Sequence, residues 1–295
     1  FRRSRPLAFT LLAIPAAGPA VGEERDARWD ARFAPEGVTG AVRCLVADGS
    51  GGFYVGGDLA TAGGLPVGRL AHWDGSRWSA LGSGLDGTVL ALAMGPDGCL
   101  YAGGSFATAG GAPAHRVARW DGLSWCDLGA GSTVTVHALA FGSDGRLFAG
   151  GDDPGWGVPA ASAVSVWDGA SWTWLGSLRN GPVRALAIGT DGTLYAGGGA
   201  MSNAGIGSGC LFSWNGAQWT AVGAASLDGD VRALCVDADG DLLAGGAFVS
   251  AGGQELLRIA RWDGSDWWPL GEGIASEVGL VPEAAVETIA RGPDG

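Results

Sequence analysis

The sequence predicts an all-β fold assembled from repeated four-stranded units, and three observations predict it. One apolar pattern opens five times, at Val42, Val89, Val136, Val183 and Val231, with spacings of 47, 47, 47 and 48 residues. Asp-Gly turn signals recur at a fixed offset within the repeats, and no helical 3.6-residue apolar period is found. Glycine supplies 56 of the 295 residues without a Gly-X-Y period, which fits tight turns and close backbone approaches rather than collagen. Four short strands per 47 residues, apolar on both faces, match blades stacked around an axis. The predicted architecture is therefore a β-propeller of four-stranded blades: five complete repeats plus a partial sixth that starts at Val286 and is truncated at Gly295.

The first strand of each repeat, as in Val89 to Met94, is almost continuously apolar, which suits a strand covered on both faces. An Asp-Gly pair follows (Asp97-Gly98, Asp144-Gly145, Asp191-Gly192, Asp239-Gly240) and provides the positive φ of a tight hairpin. The second strand, as in Leu100-Tyr101-Ala102, ends on a Gly-Gly doublet, at Gly56-Gly57, Gly103-Gly104, Gly150-Gly151, Gly197-Gly198 and Gly245-Gly246. Such doublets are expected to admit another backbone or a large ring. After a longer loop the third strand ends at Trp73, Trp120, Trp167, Trp214 or Trp262. A short turn then leads to Trp78, Trp125, Trp172, Trp219 or Trp267, so the two indoles are predicted to face each other across a hairpin.

The order of these elements, with Ala-Gly-Gly in the loops and Trp-Asp-Gly-x-x-Trp in the outer hairpins, resembles the kelch-type propeller repeat. It is also similar to repeats of large exported bacterial proteins and of fungal cortical-marker proteins. The resemblance covers about residues 40 to 272 and departs from standard kelch in carrying Trp where Tyr is usual and in a shorter gap between the aromatics. It implies a propeller.

Outside the repeats, Arg2, Arg3 and Arg5 precede the apolar run Leu7 to Ala17, and small residues follow at Gly18-Pro19-Ala20. Residues 1–20 therefore read as a signal peptide, with a membrane anchor as the alternative; the run is too short to span a bilayer. The mature chain is expected to be secreted or at the cell surface, without a membrane span. Residues 21–39 form an N-terminal segment in which Trp29 to Glu36 resembles the tail of a blade, so it is expected to supply a closing outer strand to the propeller of residues 40–295.

Net charge is -12 and every one of the 18 basic residues is arginine. No basic stripe is available to displace counterions, which argues against nucleic acid as a partner. The five cysteines show neither C-x-x-C nor metal-ligand spacing, and Cys44 and Cys235 occupy repeat positions that elsewhere hold alanine. They read as small buried fillers, and no pairing is forced.

Function is expected on the face that carries the longer loops, at about residues 58 to 68, 105 to 115, 152 to 162, 200 to 209 and 247 to 257, which differ most between copies. Repeat 3 breaks the Ala-Gly-Gly pattern with Asp152-Asp153-Pro154-Gly155-Trp156-Gly157, so Asp152, Asp153 and Trp156 are the candidate ligand-binding residues: an indole beside carboxylates suits a sugar ring. Packing between blades is the commoner use of such a tryptophan. Asp237-Ala-Asp239-Gly-Asp241 resembles the start of a calcium loop, but Phe248 stands where the bidentate Glu is needed and the register is that of a hairpin turn. Gly82-Ser-Gly-Leu-Asp-Gly87 matches a dinucleotide fingerprint by letter, yet strands flank it where a helix is required. Arg69, Arg116 and Arg258 recur four residues before the third-strand tryptophan and read as structural hydrogen-bond or cation–π donors.

No catalytic pattern, metal site or cofactor site is expected. The sequence thus predicts an exported, non-catalytic binding or surface-interaction module for a protein or glycan ligand. A glycan-binding lectin-like propeller and an extracellular carbohydrate-active enzyme are the alternatives.

Overall fold

The computed structural model describes residues 37–129, 135–152, 164–176, 178, 181–203, 207–223, 226–274 and 285–290. Signal peptide, Trp29 to Glu36, Asp153 and Trp156 lie outside the described residues.

Five four-stranded antiparallel sheets start at the five valines. In the first blade the strands are Val42–Ala47, Phe53–Gly57, Leu70–Trp73 and Trp78–Ala80, hydrogen-bonded in that order. Blade 2 repeats this with Val89–Met94, Leu100–Gly104, Val117–Trp120 and Trp125–Asp127. The first strands of successive blades pack on one another, which makes them the innermost strands of the ring. Among the described residues no helix is long and apolar enough to cross a membrane.

The blades interlock through the glycine doublets. A Cβ on the first glycine would lie 2.6 Å from Val89 Cγ1 at Gly56, 2.8 Å from Val136 Cγ1 at Gly103, and 2.5 Å from Val183, Val231 and Val286 Cγ1 at Gly150, Gly197 and Gly245. Each opening valine from Val89 onward therefore plugs a socket in the preceding blade. The second glycine does meet backbone: a Cβ on Gly151 would sit 2.2 Å from the Thr135 carbonyl oxygen. The first socket corrects the expectation of a backbone or a ring, because the stacking of blades brings a β-branched side chain there. Val286 fills Gly245 as the other valines fill theirs, so residues 285–290 start on blade 5 in the same way that blades 2 to 5 start on their predecessors.

The tryptophan pairs form as predicted, with Trp73–Trp78, Trp120–Trp125 and Trp214–Trp219 each at 5.3 Å between ring centroids. The outer indole has a second use. Trp125 Nε1 donates to the Leu81 carbonyl and Trp172 Nε1 to the Leu128 carbonyl, both at 2.9 Å, and Trp219 Nε1 donates to Leu175. Each of these bonds ties a blade's outer hairpin to the end of the preceding blade.

The Asp-Gly turns are self-capped: Asp97, Asp144 and Asp191 accept backbone N–H groups two residues on, and Gly98, Gly145 and Gly192 have φ of 74°, 81° and 85°. Arg116 and Arg258 are structural donors, to Ser105 and Ile274 carbonyls respectively. With Arg69 they also adopt left-handed backbone, at φ of 75°, 67° and 72° for Arg69, Arg116 and Arg258.

Candidate functional site

Inner strands end at the short Asp-Gly turns, so their beginnings lie on the long-loop face. Three of the long loops fold down rather than standing open. Thr61–Ala62 pairs with Leu65–Pro66, Thr108–Ala109 with Ala112–Pro113, and Ser250–Ala251 with Gln254–Glu255. Ala-Gly-Gly makes each turn, with Gly110 and Gly111 at φ of 61° and 83°, and Gly63 lies against the Trp78 indole. The segment Gly82 to Gly87 straps the second hairpin down: Leu85 bridges to Ala109, and Asp86 Oδ1 accepts the Ala107 and Thr108 N–H groups at 2.7 and 2.8 Å. In blade 4 the loop instead extends the strands, Leu194–Asn203 against Gly207–Trp214.

Among the described residues, the distinctive chemistry of this face lies at the start of the inner strands. In every blade the residue after the opening valine is a β-bulge. Val42 opposes Gly57 and Cys44 opposes Gly56, which leaves Arg43 without a partner across the ladder. Leu90, His137, Arg184 and Arg232 are left out in the same way. A bulge bends the strand and re-aims the extra side chain, a device found beside binding and catalytic sites. Here it is repeated around the axis, and Glu287 follows Val286 at the equivalent sequence position.

The bulge residues form a charged collar. Arg43 Nη2 lies 3.3 Å from Asp58 Oδ2, His137 Nε2 lies 2.8 Å from Asp152 Oδ1, and Arg184 Nε lies 4.0 Å from Asp230 Oδ2. Arg232 Nη1 pairs with Glu287. Thr88, at the start of blade 2, donates its hydroxyl to Asp58 of blade 1. That hydroxyl is the main cause holding the Asp58 carboxyl below its ordinary value, burial opposes it, and Arg43 adds to the lowering. Leu90 interrupts the series.

Exposure varies along the collar, at 53% for Arg43, 41% for Arg184 and 43% for Asp152 but 29% for Arg232 and 19% for His137. Exposed ion pairs of this kind stabilise a fold by only about 0–1 kcal/mol each. The valine sockets and indole latches hold the blades together from other positions.

Of the three sequence candidates, the structure describes Asp152 alone, and places it against His137 on the bulge. Spacing could not have shown that pairing. The collar itself was missed by sequence reasoning, although one signal pointed to it: Arg43, Leu90, His137, Arg184 and Arg232 vary in charge between neighbours that stay Val and Ala or Cys. The calcium-like segment is occupied by its own turn: Asp237 Oδ1 accepts the Asp239 and Asp241 N–H groups at 3.0 and 2.9 Å, and Asp241 pairs with Arg261 at 3.2 Å. No cluster of three or more metal-ligating side chains is found among the described residues.

No family model matches the chain, and no curated protein matches it. Among solved structures it is similar to an ancestral GH74 enzyme, at 16% identity and a TM-score of 0.57, over 82% of this chain and 32% of that one. This protein is a β-propeller. The chain spans about a third of that enzyme's length, and at this identity the likeness shows the fold alone. Weaker likenesses link it to virginiamycin B lyase from Staphylococcus aureus, at 11% identity, TM-score 0.49 and coverage of 80% and 70%. The extracellular domain of a hybrid two-component system from B. thetaiotaomicron matches at 14% identity, TM-score 0.44 and coverage of 86% and 36%.

Proposed function

We propose that this chain is an exported, non-catalytic binding or surface-interaction module whose ligand meets the long-loop face over the bulge collar. The observation that carries the reading is the collar itself: a bulge at the same place in five blades, four of them presenting a cationic or ionisable side chain that the core does not need. Paired charges of both signs suit a polar partner that exchanges ion pairs with the collar, a protein loop or an acidic or hydroxyl-rich glycan. The N-terminal leader read in the sequence supports export, and the kelch-like motifs support a scaffold role. A carbohydrate-active enzyme would instead need two converging carboxylates, one acid and one base or nucleophile. Asp58, Asp152, Asp230 and Glu287 each face a basic side chain, which favours recognition over that chemistry.

The test is binding of the full chain to a broad glycan array and to an array of extracellular protein domains, beside Arg43→Ala/Arg232→Ala and Trp156→Ala variants. A hit that is lost in the collar variant and weakened by salt supports the reading. Binding untouched by the collar variant, or hydrolysis of an arrayed polysaccharide, overturns it.

A further inference from the structure

The opposite face carries a second feature, a cleft of about 290 Å³ between blades 3 and 4. Arg146 and Phe148 contribute to one wall, Asp191, Thr193, Trp214 and Asn215 to the other. All the polar members come from the short turns, so the repeat itself supplies controls for each position.

Two positions set the character of this cleft, and the second is unlike its counterparts in all the other blades. Thr193 stands where blade 1 has Gly52, blade 2 has Cys99, blade 3 has Arg146 and blade 5 has Asp241, so its short side chain leaves open the space that an arginine occupies one blade earlier. Asn215 stands where the other blades have Asp74, Asp121, Asp168 and Asp263. The turn does not require that change. Asn215 Oδ1 accepts the Ala217 and Gln218 N–H groups at 3.0 Å each, as Asp121 Oδ1 accepts those of Leu123 and Ser124 at 2.9 and 2.8 Å. The amide removes one negative charge and adds an N–H₂ donor at the rim.

The remaining groups are complementary to a hydroxyl-bearing ring. Arg146 Nε bonds Asp144 Oδ2 at 2.6 Å, and its guanidinium carbon lies 5.8 Å from the Phe148 ring centroid. Asp191 accepts the Thr193 N–H and hydroxyl at 2.9 Å each, and a carboxylate has about four acceptor sites, which leaves two for ligand hydroxyls. Trp214, half-buried, provides apolar surface, and Phe148 lies buried beneath the Arg146 guanidinium. Asp144 already balances Arg146, and Asp191 adds negative charge, so an anionic ligand is disfavoured. The volume is at the lower end of ligand pockets, about 300 Å³, and holds one small ring rather than a chain.

We propose that this cleft is a binding subsite for a single neutral sugar ring, its apolar face toward Trp214. Asp191 accepts from its hydroxyls, and Asn215 and Arg146 donate to them. The site is independent of the collar and lies on the other face.

Saturation-transfer NMR on the full chain, with the methyl glycosides of glucose, galactose and mannose and with N-acetylglucosamine at about 10 mM each, reads the proposal directly. One or more should receive saturation. Thr193→Arg copies the residue that blade 3 already accommodates and should weaken binding at least about tenfold at an unchanged thermal midpoint. Asn215→Asp, the residue of the other blades, should weaken it less, and Leu123→Ser, on an exposed turn of blade 2, should leave it unchanged. Absence of transfer to all four sugars, or full binding by a folded Thr193→Arg variant, overturns the proposal.

Discussion

Substituting alanine at Gly150 tests the interlock on which the ring is built. A methyl there would lie 2.5 Å from Val183 Cγ1 and 3.1 Å from its Cβ, and Val183 is fully buried. Overpacking of this kind costs about 1–3 kcal/mol, and the loss of glycine freedom in the unfolded chain returns about 0.4–1 kcal/mol. A net destabilisation of about 1–2 kcal/mol is expected. Gly151→Ala should cost more, about 3 kcal/mol or above, because its methyl would meet the Thr135 carbonyl oxygen at 2.2 Å and a backbone cannot rotate away. Val183→Ala alone removes two buried methyls and opens a cavity, a loss of about 2–3 kcal/mol. In the Gly150→Ala background the new methyl fills part of that space, so the same change should cost about 1 kcal/mol less. It should give no such relief beside Gly151→Ala. Urea midpoints followed by tryptophan fluorescence measure the five variants beside the native chain. A Gly150→Ala variant as stable as the native chain, or strict additivity with Val183→Ala, would refute the socket.

Three further outcomes are expected. Trp172→Phe removes the bond to the Leu128 carbonyl and should lower stability by about 1 kcal/mol from that loss, whereas Trp267→Phe should lose less, since its buried Nε1 finds no acceptor among the described residues; equal urea midpoints would count against the latch. The Asp48 carboxyl is held well below the usual carboxylate range, by His72 first and then by the Ser50 N–H. A depressed folded pKa gives stability that is present above the unfolded value of about 3.9 and is lost as pH falls through the folded value, so His72→Gln should flatten the loss of stability below about pH 4; identical acid limbs would contradict this. Burial pushes the Cys44 thiol up to about 12 and the Cys210 thiol up to about 11, while Cys126 is exposed, so a disulfide reagent at about pH 8 should label Cys126 first. Cys126→Ser should abolish the fast phase, and its persistence would show that a buried thiol is reached.

The repeat length, the strand starts, the Asp-Gly turns and the paired indoles were legible in the sequence because each acts across a few residues or a single hairpin. Val89 and Trp120 declare their strands wherever the blade sits. What fills Gly103 was not legible, since Val136 arrives from the next blade, and only the stacking of blades decides that a branched side chain meets it rather than a ring. The long loops, read as the most variable part of the repeat, are closed in three repeats because Ala-Gly-Gly forms a hairpin, which in blades 1 and 2 lies on the outer tryptophan. Asp152 was legible as an acid in an unusual loop, but its partner His137 is aimed by a bulge that exists only when two strands are in register. Sequence by itself therefore determined the blade and its copies, which are set by local pattern. Tertiary structure decided the collar and the cleft, because both are made of residues that meet only when separate strands or blades pack.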